Sequence, residues 1–73
     1  MSRLPTMIPK EMARVVERLG FVFDHQRGSH AYYVHPYGRT TTIAMHSKDL
    51  PRGIMKKILR DININEEEFR KLL

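Results

Sequence analysis

Two tight-turn signals set close together constrain this chain more than any other feature. Arg27-Gly28-Ser29 and Pro36-Tyr37-Gly38-Arg39 put glycine and proline where a backbone reverses. Each is flanked by β-prone residues. Phe21-Val22-Phe23 reads as a short strand running on to Gln26. His30 to His35, with Tyr32, Tyr33 and Val34, reads as a second. Thr40 to His46, with its threonines and Ile43, reads as a third. Short turns between successive strands leave room only for antiparallel pairing, so the expected unit is a three-stranded meander. Such a sheet needs a cover on one face.

Two amphipathic segments supply the cover. Before the strands, Met12, Val15, Val16 and Leu19 share one helical face over Pro9 to Leu19. Pro9 suits the first helical position and Gly20 suits the stop. After the strands, Pro51 marks a second start, and Ile54, Met55, Ile58, Leu59 and Ile62 form a stripe that ends at Asn63. Asn65 and Glu68 have the spacing of a capping box for a short third helix, docked by Phe69, Leu72 and Leu73. Met12, Met45 and Met55 read as core filler. The order is α-β-β-β-α with a short C-terminal helix. It defines an α+β, two-layer fold with a three-stranded antiparallel sheet, the layout of double-stranded-RNA-binding domains.

Bulk properties narrow the function. At 73 residues, positions 1–73 read as a single domain of modest stability. With no cysteine, disulfides and thiolate metal sites are excluded. No apolar run approaches a membrane span, and Met1 to Met7 lacks a signal-peptide core, so the expected location is cytoplasmic. Thirteen Lys and Arg against eight Asp and Glu leave a net charge of +5, which suits a polyanionic partner such as nucleic acid and equally suits a soluble domain that merely stays away from zero charge.

Arg27-Gly28-Ser29-His30 concentrates the chemistry. Glycine lets the backbone approach a ligand, serine offers a hydroxyl and an N–H to phosphate, and arginine supplies a fixed positive charge. A histidine at a strand start is rigidly aimed, and imidazole suits a proton acceptor at neutral pH. Together they hold the parts for cutting RNA without a metal. On spacing alone, a polar hairpin turn followed by an ordinary strand histidine is the better description. His25, His30, His35 and His46 do not have metal-ligand spacing, and plain strand alternation sends residues five apart to opposite faces. No metal or other cofactor is expected. Lys48 and a basic run on the second helix, Arg52, Lys56, Lys57 and Arg60, are candidate phosphate contacts, although such a run also suits the wet face of a helix. Gly53, in the first turn of that helix, points to close packing. Tyr32 and Tyr33 should face opposite ways, one of them into the core, with Tyr37 the freest of the tyrosines.

Taken in order, Lys10-Glu11-Met12, Leu19-Gly20-Phe21, Arg27-Gly28-Ser29-His30, Ile43-Ala44-Met45-His46, Leu50, Gly53-Ile54, Ile58-Leu59 and Glu67-Glu68-Phe69 resemble the HicA (YcfA-like) family of prokaryotic toxins over nearly the whole chain. The resemblance implies the toxin of a type II toxin–antitoxin system, an mRNA interferase whose essential histidine falls on His30. Gly28 and Ser29 match the residues before it. It also implies a HicB-type antitoxin that covers His30, with oligomers formed mainly through that partner. Ala44 stands where the family commonly has proline, and Met1-Ser2-Arg3 extends the start. His25, His46 and Tyr32 are the candidates for a second proton-transfer group. The alternative is a non-catalytic RNA-binding module on the same fold.

Overall fold

The computed structural model describes residues 4–45 and 48–73. His46, and the Met1-Ser2-Arg3 extension, lie outside the described residues. The elements run α1 (Pro9–Arg18), β1 (Val22–Arg27), β2 (His30–Val34), β3 (Thr40–Ala44), α2 (Arg52–Asp61) and α3 (Glu66–Lys71). The sheet is antiparallel with strand order β1-β2-β3.

α1 begins as its sequence requires. Pro9 takes the first helical position, and Glu11 reaches back to accept the Ile8 N–H at 3.1 Å. Gly20, at φ +96°, ends the helix and turns the chain into β1. Met12, Ala13, Val15 and Val16 are buried. α2 starts after Pro51, and Asn63, at φ +62°, breaks its continuation. At α3, Asn65 Oδ1 accepts from the Glu68 N–H at 2.7 Å and Glu68 Oε1 accepts from the Asn65 N–H at 2.9 Å, closing the capping box.

The helices pack mainly on β3, on the sheet face formed by Ala31, Tyr33, Thr41 and Ile43. Phe69, Met12, Ile43, Met55, Ile58 and Val16 are fully enclosed between the layers. Asp61 ties α2 to β3: its Oδ2 accepts from Thr41 Oγ1 at 3.0 Å and from Lys57 Nζ at 3.1 Å. The extended entry segment is pinned by the Leu50 N–H, which donates to the Met7 carbonyl at 2.8 Å.

Three expectations need correction. Ile54 is 41% exposed, because Met55, Ile58, Leu59 and Ile62 already fill the face turned to the sheet. Ile54 lies about 100° round the helix from Met55, beyond that stripe. Leu73 is 57% exposed, since α3 docks through Phe69 with Leu72 partly buried beside it. A Cβ on Gly53 would meet nothing within 4 Å, so close packing is not its reason, and nothing in the structure explains this glycine.

Candidate functional site

The sheet has one covered face and one open face, and alternation decides which side chains stand on each. Ala31 and Tyr33 point inward, so His30, Tyr32 and Val34 stand on the open side of β2. Arg27 is paired with His30 across the stem of the β1-β2 hairpin. Gly28 and Ser29 form its two-residue loop. Gly28 has φ +58° while Ser29 is not in the left-handed region, the pattern of a turn with glycine at its first central position. Gln26 Nε2 braces this loop by donating to the Gly28 carbonyl at 3.0 Å. The Met45 N–H donates to the Ser29 carbonyl at 2.6 Å, so the chain leaving β3 is fastened beside the loop. His30 is exposed, with Arg27 on one side and Ala44 of β3 on the other.

The register of β1 is not uniform. Phe23 pairs with Tyr33, but the next pair is His25 with Tyr32, which leaves Asp24 as an extra residue in a bulge. Phe23 therefore packs on the covered side, edge-on to Tyr33 at a centroid distance of 5.8 Å. His25, opposite Tyr32 and in regular register with the turn, stands on the open side. Its ring lies flat on Tyr32, with centroids 4.4 Å apart and planes 6° apart. Its Nδ1 is 2.6 Å from Asp24 Oδ2. His25 and Arg27 on β1 thus face Tyr32 and His30 on β2 in one open patch.

The family model for the HicA toxin of bacterial toxin–antitoxin systems matches residues 9–64. The chain belongs to the HicA toxin family. The match runs from the first residue of α1 to the residue before the cap of α3, so it spans the sheet and the whole patch around His30. Family membership makes this HicA chain the toxin half of a pair whose other half is an antitoxin. A comparison with curated proteins returns no match.

Of the residues expected to meet RNA, Arg27, Gly28 and Ser29 adjoin His30 in this HicA domain. Lys48 is exposed, beyond the end of β3. Arg52, Lys56, Lys57 and Arg60 are exposed on α2, in the layer that covers the other face of the sheet. The structure therefore does not bring them to His30, and Lys57 is engaged by Asp61. His35 belongs elsewhere too. It packs edge-on against Phe21 at 5.1 Å, and its Nδ1 accepts from the Tyr37 N–H at 3.1 Å, which orders the β2-β3 turn. Tyr37 itself is 92% exposed. Among the described residues, no three His, Asp or Glu side chains gather as a metal cluster. Among those residues, too, no helix is long and apolar enough to cross a membrane.

Alternation counted along a single strand missed the placement of His25, because His25 and His30 lie on two strands joined by a two-residue turn. The signal was there in part. Counting back from the Gly28-Ser29 turn pairs Arg27 with His30 and His25 with Tyr32, whereas the bulge at Asp24 resets only Phe23 and Val22.

Proposed function

We propose that this HicA toxin is a metal-independent endoribonuclease that cuts mRNA, with His30 as the base that takes the proton from a ribose 2′-OH. The observation that carries the reading is the pairing of exposed His30 with Arg27 across a hairpin stem on the open face of the sheet. An imidazole on a strand is held in direction by the ladder on both sides. The attacking 2′-oxygen builds negative charge on the phosphate, and a guanidinium directly across the ladder is placed to offset it. Gly28 leaves the loop without a side chain where the backbone must come close to RNA, and Ser29 adds a hydroxyl beside it. Lys48 and the α2 cations Arg52, Lys56, Lys57 and Arg60 would serve longer RNA that wraps past the sheet, through sequence-independent phosphate contacts. A HicB-type antitoxin would silence the enzyme by covering the open face at His30.

The test is incubation of wild type and His30→Ala with a structured mRNA in EDTA, read on a denaturing gel. Wild type is expected to cleave. The folded variant is expected to lose about 10²–10⁴-fold in rate, the usual worth of a proton-transfer group. Intact RNA with folded wild type would replace this reading by a non-catalytic RNA-binding module. Equal cleavage by both proteins would remove His30 from the chemistry.

A further inference from the structure

We propose that His25 is the acid of the same reaction, protonating the leaving 5′-oxygen, with Asp24 as its positioning residue. The inference rests on the nuclease reading above and deepens it.

Cleavage by an internal 2′-hydroxyl needs two proton transfers, one from the nucleophile and one to the leaving group. His30 accounts for the first. The two-residue Gly28-Ser29 turn and the regular register beyond it put a second imidazole on the same face, one diagonal step away in the ladder: His25 is opposite Tyr32, and His30 is two residues before Tyr32. Diagonal neighbours across an antiparallel pair are roughly 7–8 Å apart at Cα, so the two rings can flank one phosphodiester without touching each other. Arg27 completes the square and adds its charge to the phosphate between them.

His25 is also held as a proton donor should be. Tyr32 supports one flat face of its ring, and the 2.6 Å contact between Nδ1 and Asp24 Oδ2 fixes the other degree of freedom. With Nδ1–H donating to the carboxylate, Nε2 is the nitrogen that exchanges a proton with a ligand. The side chain is 51% accessible, so that nitrogen can be reached from solvent.

The step balances. His30 takes the 2′-OH proton as the 2′-oxygen bonds to phosphorus. The bond from phosphorus to O5′ breaks, its electron pair leaves on O5′, and His25 Nε2 delivers a proton there. The products are a 2′,3′-cyclic phosphate and a 5′-hydroxyl. His30 has gained a proton and His25 has lost one, and exchange with water restores both.

The test compares two oligoribonucleotides that share a mapped wild-type cleavage position, one of them carrying sulfur in place of the bridging 5′-oxygen. A thiolate is a far weaker base than an alkoxide and leaves without a proton. His25→Ala is expected to lose about 10²–10⁴-fold on the oxygen substrate and to come within a few-fold of wild type on the sulfur substrate. His30→Ala should stay impaired on both. Asp24→Asn should show a smaller loss with the same sulfur rescue. His25→Gln, which keeps a polar side chain of similar reach, is a second variant should the alanine protein fold poorly. Wild-type rates for both His25 variants on ordinary RNA, or equal losses on the two substrates, would overturn the assignment while leaving His30 in place. No cleavage by wild type would instead bring down the nuclease reading, and this inference with it.

Discussion

Tyr33 shows how a single residue carries a consequence beyond its contacts. Its ring is buried on the covered face of the sheet, and its phenol pKa is raised, first by burial and second by the negative charge of Glu17. Below pH 10 the phenol is protonated in both folded and unfolded chains. Above pH 10 the unfolded chain releases the proton first, so stability falls as pH rises from there toward the folded-state value. Urea midpoints measured from pH 9 to pH 11 should fall more steeply for wild type than for Tyr33→Phe, which removes the titrating group. Parallel curves would show that Tyr33 does not contribute. Two glycines make a second comparison at this scale. Gly28, at φ +58°, has open space around it, so Gly28→Ala should cost only the left-handed backbone penalty of about 1–2 kcal/mol. Gly20, at φ +96°, would also put its new Cβ 3.0 Å from His35 Nε2. Gly20→Ala should therefore lower the thermal midpoint further than Gly28→Ala does.

The elements were largely legible before the structure, for reasons that differ from one to the next. α1, α2 and α3 each announce themselves twice, by an apolar stripe and by a start or stop residue with a backbone or hydrogen-bonding reason to be there: Pro9, Gly20, Pro51, Asn63 and Asn65. The two turns fix the hairpin order because Gly28 and Gly38 tolerate φ values that other residues resist. Arg27, Gly28, Ser29 and His30 were legible as one segment because a two-residue turn keeps sequence neighbours together in space. What escaped depends on how the elements meet in the third dimension. The face of His25 follows from the ladder counted across the Gly28-Ser29 turn rather than along one strand. The separation of α2's cations from His30 follows from which side of the sheet the helix covers. The exposure of Ile54 follows from the width of the stripe β3 can accept. Two element-level predictions follow from the hydrogen bonds. Asn65→Ala removes the cap acceptor of α3 and should cost about 0.5–2 kcal/mol in chemical denaturation. Asp61→Ala leaves the hydroxyl of Thr41, a buried residue, without its acceptor and should cost about 1–3 kcal/mol. Thr41→Val with Asp61→Ala should recover part of that loss, since no buried hydroxyl is then left unmet.

At the scale of the molecule, the two layers are unequal in reach. The helices concentrate on β3, while every residue of β1 is exposed, including Val22 at 61% and Phe23 at 48%. β1 and β3 are both edge strands, but β3 carries the helices while β1 is held mainly by its ladder to β2. Strands with little buried surface open locally at a lower free energy than the global unfolding of the domain. In native-state hydrogen exchange, the amides of β1 that bond to β2 should lose protection well before those joining β2 to β3. The proposed chemistry is divided along that line, with His30 and Tyr32 on the firm strand and His25 and Arg27 on the loose one. A toxin built this way can come half undone without unfolding, as β1 peels away and takes two of four side chains with it. Whatever lies across the open face, substrate or antitoxin, would also act as a splint, and the slowed exchange of β1 would report its arrival.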